Sequence, residues 1–200
     1  MRFFALALCA ACGIGQAQAS VATFDDVTAA AQAFVPAGYG GLNWFNVAVQ
    51  DTAANGRGGF ARAATSGSYV AFNNNGTAAM VSGMALPAGG AGDFLFNSVA
   101  LTAVYLDGLR IHVTGLRDGA VLYEQTVLAD TTGPAVFRFG WEVDALYFAA
   151  DGGVPAGYGV DAPYFAMDDL RINEIPEPGT LALLGLGLGG ALWSRRRRGG

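Results

Sequence analysis

Two pairs of adjacent carboxylates stand at opposite ends of this sequence, Asp25-Asp26 and Asp168-Asp169. Carboxylate oxygens are hard ligands. Four of them, brought together from a first and a last strand, could hold a structural Ca²⁺. The competing reading makes them turn and strand-end residues, bonded to backbone or solvated. No Asp-x-Asp-x-Asp-Gly loop occurs, so an EF-hand is excluded. The apolar parity slips at the second pair, with Phe165 and Met167 before it and Leu170 and Ile172 after it. That slip predicts a β-bulge, which could aim a carboxylate inward.

A second kind of chemistry is suggested by aromatic residues in Gly-rich stretches. Tyr39 and Trp44 lie in "GYGGLNW" (38–44), and Tyr158 and Tyr164 in "GVPAGYGVDAPY" (153–164). Aromatic faces on loops can stack on sugar rings, while Asn43, Asp161 or Arg62 could bond hydroxyls. Against this, most aromatics of a sandwich belong to its core. His112 is the only histidine, and its strand neighbours on the same parity are Arg110 and Thr114. No nucleophile elbow G-x-S-x-G accompanies it. No spacing singles out a carboxylate pair for glycoside hydrolysis. "ANGRGG" (54–59) has neither the lysine nor the strand-to-helix setting of a phosphate cradle. The sequence therefore predicts no catalytic residue and no cofactor beyond that Ca²⁺.

The elements that would position these residues are strands. Apolar residues recur at every second position in "DFLFNSVALTAVYL" (93–106), "GLRIHVTGL" (108–116), "AVLYEQTVLA" (120–129), "AVFRFGW" (135–141), "VDALYFAA" (143–150) and "YFAMDDLRIN" (164–173). Gly, Asp and Asn turns separate them, which argues an all-β sandwich. A helical period is confined to "DDVTAAAQAF" (25–34), where one short helix is expected. Between Ser20 and Glu174 there are 15 Asp and Glu against 6 Arg and no Lys, a net charge of −9. Such a surface lacks the cations that phosphate contacts need, which argues against nucleic acid as a partner.

The two ends have a different character. "MRFFALALCAACGIGQAQAS" joins a basic Arg2, an apolar stretch and a small-x-small site, and reads as a signal peptide cut between Ala19 and Ser20. Both cysteines, Cys9 and Cys12, fall in the removed part, so the mature chain has no disulfide and no thiolate. At the other end Pro176, Glu177 and Pro178 precede an apolar run, Leu181 to Trp193, and then Arg195, Arg196, Arg197 and Arg198. The run is about 20 Å long as a helix, short for a bilayer core of about 30 Å. The arginines place its end on the cytoplasmic side and the body on the far side.

That tail resembles the PEP-CTERM sorting signal of Gram-negative bacteria in order, spacing and position. The resemblance implies a membrane exosortase as partner, with Pro176 to Pro178 as recognition site and the arginines as stop-transfer. It implies an inner-membrane intermediate facing the periplasm, then the cell surface or extracellular space, in a setting of exopolysaccharide and biofilm. "FDDVTAAAQAFVPAGYGGLNW" (24–44) and "YFAMDDLRI" (164–172) resemble exported proteins of that group. They imply a jelly roll similar to galactose-binding and carbohydrate-binding modules. The expected organisation is a signal peptide over 1–19 that forms a helix, one jelly-roll-like β-sandwich over 20–174, and a sorting signal over 175–200 with a short transmembrane helix. The function implied is that of a non-enzymatic surface or matrix protein. The alternative is a carbohydrate-binding module acting through the loop aromatics.

Overall fold

The computed structural model describes residues 19–87 and 89–174. The expected signal helix, the residues Pro176 to Pro178, the membrane helix and Arg195 to Arg198 lie outside the described residues. The strands are β1 (Ser20–Ala22), β2 (Gln32–Phe34), β3 (Leu42–Phe45), β4 (Val47–Asp51), β5 (Tyr69–Asn73), β6 (Ala79–Gly83) and β7 (Phe94–Ala103). They continue as β8 (Leu106–Asp107), β9 (Leu109–Arg117), β10 (Ala120–Ala129), β11 (Ala135–Val143), β12 (Ala145–Asp151), β13 (Val154–Pro155) and β14 (Phe165–Ile172).

Two large antiparallel sheets and a two-stranded ribbon of β13 with β8 form among the described residues. The larger runs β11-β7-β14-β5-β4-β2, with β1 added on β14, and the smaller runs β10-β9-β12-β6-β3. The chain changes between these sheets from β2 to β3, β3 to β4, β5 to β6, β6 to β7, β7 to β9, β10 to β11, β11 to β12, and β12 to β14. First and last strands pair, Ser20 opposite Ile172. The result is a jelly-roll-like β-sandwich.

The two-residue period explains the long strands. Leu109, Ile111 and Val113 of β9 are buried between the sheets, whereas Arg110, His112 and Thr114 face out. Phe96, Leu101, Phe148, Phe165 and Met167 meet them in one core. Each such side chain, fully buried, contributes about 1.5–3 kcal/mol.

Two parts depart from the sequence reading. Residues 25–34 form no helix. Phe24 takes a left-handed φ of 65°, and the chain turns at Asp25 and Asp26 before Gln32–Phe34 pair with β4. Tertiary pairing thus overrides the Ala-rich helical period. The strands β3 to β6 gave no alternating signal, because β4 and β5 are buried on nearly every residue. Their outer face is covered by a 3-10 turn, Gly58–Arg62. Phe60 of that turn packs edge-on against Phe72 at 5.4 Å. Gly59 permits the approach, since its N–H reaches the Val104 carbonyl at 2.7 Å and a Cβ there would stand 1.9 Å from the Ala103 oxygen.

Candidate functional site

The carboxylates of Asp25 and Asp168 do converge, on one loop. Asp168, fully buried, lies at the expected bulge: the β14–β7 register shifts between Asp168 and Arg171, and Asp169 has φ 47°. Its Oδ2 accepts from the Thr65 N–H at 2.7 Å, the Thr65 hydroxyl at 2.8 Å and the Ser66 N–H at 3.0 Å. Its Oδ1 accepts from the Asp169 N–H at 2.8 Å. Asp25 Oδ1 accepts from the N–H groups of Ser68 and Tyr69 at 2.8 and 3.0 Å. The Ser66 hydroxyl stands 3.5 Å from Asp25 Oδ2 and 3.4 Å from Asp168 Oδ2. Burial pushes the Asp168 carboxyl above its ordinary pKa, and the hydrogen bonds from Ser66 and Thr65 oppose that rise.

The other two carboxylates point elsewhere. Asp26 accepts from the Tyr39 hydroxyl at 2.7 Å, and Asp169 lies 3.9 Å from Arg171. Among the described residues no group of three or more His, Cys, Asp or Glu is placed to hold a metal ion. Asp25, Asp26, Asp168 and Asp169 thus do not assemble the expected calcium site. Asp25 and Asp168 instead clasp loop 65–69 through its backbone donors.

The four loop aromatics do not form one platform. Trp44 is buried, only 8% exposed. Its ring stands edge-on to Phe24 at 5.3 Å, and its Nε1–H donates to the Tyr39 carbonyl at 2.9 Å. Tyr39 stacks on Phe24 at 5.6 Å. Its hydroxyl accepts from the Phe24 N–H at 2.8 Å while donating to Asp26. Burial, and then Asp26, push that phenol up to about 12. Tyr164 belongs to a separate cluster, edge-on to Tyr105 at 5.6 Å. Tyr158 is exposed. Trp44 and Tyr39 are therefore corner and core residues, and the expected sugar platform of Tyr39, Trp44, Tyr158 and Tyr164 is corrected on this point.

Two exposed aromatics, Phe45 and Tyr147, lie on the outer face of the smaller sheet. Cross-strand registry places Glu124, Thr114, Tyr147, Met80 and Phe45 in one row over its five strands. Tyr147 is 44% exposed and Phe45 54%. They stand two strands apart, about 10 Å. The next row carries Thr126, His112 and Ala149, and the one beyond it Leu128, Arg110 and Asp151. Asp151 accepts from Arg110 Nε at 2.7 Å and lies 3.3 Å from His112 Nε2. Arg110 first, and His112 second, hold its carboxyl below the ordinary range. His112 Nδ1 stands 2.9 Å from the Thr126 hydroxyl. Thr126 and His112 share one row and Asp151 stands in the next, so the members of a triad are spread over two rows of the sheet. Parity could have found this face: in "VDALYFAA" Tyr147 alternates with the buried Leu146 and Phe148.

The root of the tail is held firmly. Asn97 Nδ2 donates to the Glu174 carbonyl at 2.8 Å, and Asn97 Oδ1 accepts from the Glu174 N–H at 2.9 Å. Arg171 pairs with the Glu174 carboxylate at 2.9 Å. A cleft of about 300 Å³ opens beside this root, lined by Arg138, Asp169 and Arg171 among others.

Residues 174–198 match the family model described as the PEP-CTERM protein-sorting motif. The chain therefore carries that motif, which marks an exported protein directed to exosortase, and the match starts at the clasped Glu174. No curated protein matches the chain. A solved structure of a mutant CBM29-2, titled as probing ligand recognition by family 29 carbohydrate-binding modules, is similar. It shares 12% identity at a TM-score of 0.39, covering 81% of this chain and 99% of that one. The sandwich assignment rests on the strand pairings themselves.

Proposed function

We propose that this PEP-CTERM-bearing chain is a non-enzymatic surface or matrix protein. Its signal peptide is cut between Ala19 and Ser20, and it waits in the inner membrane with the body facing the periplasm. Exosortase then processes it near Pro176 to Pro178, and it takes up a place among exopolysaccharide. The sorting motif, joined directly to the last strand, carries this reading. The proposed organisation is 1–19, 20–174 and 175–200. Intact mass of cell-bound and released protein from the native host tests it. The expected species starts at Ser20 and ends near Pro176 to Pro178, with added mass if it is attached covalently. A membrane species still ending at Gly200 would overturn it.

A second reading is that the body binds matrix glycans. The row Tyr147, Met80 and Phe45 favours it: two exposed rings at strand spacing, flanked by Glu124, Asn43 and His112, can stack on and hydrogen-bond an extended saccharide. Retention on polysaccharide prepared from the host should fall at least tenfold in Tyr147→Ala with the melting temperature unchanged. Equal retention would refute this reading.

A further inference from the structure

We infer that two copies of this protein pair edge to edge through β10, antiparallel about Gln125, to join their smaller sheets into one. A free sheet edge is a row of unpaired N–H and C=O groups, and proteins blunt such edges with short strands, bulges, charges or proline. Among the described residues the other edges of the two larger sheets follow that rule, β1 being three residues long. β2 and β3 are three and four residues long. β11 carries a bulge between Arg138 and Trp141, with Gly140 at φ 70° and the charged Arg138 beside it.

β10 does not follow it. The strand is ten residues long, "AVLYEQTVLA", with no Lys, Arg, Pro or Gly and one charge, Glu124. Its bulge lies at the start, between Val121 and Tyr123, which leaves a regular edge from Tyr123 to Ala129. Val121 (54%), Leu122 (49%) and Leu128 (62%) are exposed. Among the described residues no strand pairs with its outer edge.

Charge and parity choose the partner and the register. In a joined sheet directly opposed residues share a face, so the two-fold must pass through a residue rather than between two. A centre at Glu124 would oppose two carboxylates, which is destabilising. A centre at Gln125 opposes Tyr123 with Val127 and Glu124 with Thr126 within the regular edge, and brings Leu128 against the bulged Leu122. Apolar then meets apolar on both faces and the single charge meets a hydroxyl. A second copy of this chain is thus complementary to β10, and the pair presents two Tyr147–Phe45 faces side by side.

Single-cysteine cross-linking tests the register, because the mature chain has no cysteine of its own. The mature protein is purified from its host, in detergent if it stays in the membrane. Opposed residues lie about 4.5–5.5 Å apart at Cα, within the disulfide range of about 4.4–6.8 Å. Gln125→Cys should form a disulfide-linked dimer at least tenfold faster than the exposed control Ala53→Cys. Leu122→Cys and Leu128→Cys should cross-link poorly alone and well when mixed. Sedimentation of the cysteine-free protein should show a concentration-dependent dimer that Leu128→Lys shifts to monomer with its melting temperature kept. A wild type that stays monomeric up to millimolar concentration, or Gln125→Cys no faster than the control, would overturn the proposal. So would Leu128→Cys alone cross-linking as fast as Gln125→Cys.

Discussion

Asp168→Asn replaces one carboxylate oxygen by an NH₂ group inside a closed shell of donors. Oδ2 receives three hydrogen bonds, from the Thr65 N–H, the Thr65 hydroxyl and the Ser66 N–H, and Oδ1 receives one from Asp169. An amide offers one oxygen, so whichever way it turns, one set of donors faces an NH₂. The Thr65 hydroxyl can rotate to donate elsewhere, but the two backbone N–H groups cannot. Each buried donor left unpaired costs about 1–3 kcal/mol. With the amide oxygen turned toward Thr65 and Ser66 only the Asp169 N–H faces the NH₂, so the variant should lose about 1–3 kcal/mol, a sizeable part of the stability of a domain. Urea denaturation of wild type and variant, followed by tryptophan fluorescence, measures it. The pH dependence supplies a second check. The folded carboxyl has a raised pKa, so the folded state holds this proton more tightly than the unfolded chain. The stabilisation linked to it is full below the unfolded value of about 3.9 and is lost as pH rises through the folded value. The gap between wild type and Asp168→Asn should accordingly narrow as pH rises above about 4. A loss under about 1 kcal/mol would refute the clasp. A gap that widens with pH would show that hydrogen bonding outweighs burial.

Trp44→Ala should lose about 3–5 kcal/mol in the same assay, whereas Phe45→Ala, its exposed neighbour, should stay within about 0.5 kcal/mol. Gly115→Ala would place a Cβ 2.9 Å from Val143 and 3.1 Å from the Trp141 ring. Overpacking there should cost about 1–3 kcal/mol and disturb the Tyr123–Trp141 stack, visible in near-ultraviolet circular dichroism. EDTA should leave the melting temperature unchanged, since Asp25 and Asp168 already serve backbone donors. A fall of several degrees restored by Ca²⁺ would return the metal to the fold.

The long strands β9 to β12 were legible because one face of each meets the core and the other meets water, and β7 keeps that alternation over its first residues and β14 over its last. The bulge at Asp168 was legible for the same reason, as a slip in that alternation. β4 and β5 were not, because the Gly58–Arg62 turn buries their second face and removes the polar half of the pattern. Trp44 shows the limit for sites. A Gly-rich neighbourhood marks a turn, but whether the ring points out or in depends on Phe24, which arrives from the loop after β1. Phe45 and Tyr147 come together only through the β12–β6–β3 registry, which no local pattern encodes. The sorting motif, being contiguous, needs no folding to be read.

The pairing of Ser20 with Ile172 gives the body a fixed polarity. The proposed signal-peptide cut and the sorting motif sit on neighbouring strands, so both sequences leave the sandwich from the same corner. Under the proposed sorting the body hangs from one corner, with its new N-terminus beside the point of attachment. A reporter or affinity tag fused ahead of Ser20 would crowd against whatever the tail is fastened to, and would hide there from antibodies in solution. A tag meant for display belongs in an exposed loop such as 156–162, and comparing the two placements in whole-cell labelling reads out which corner faces the cell.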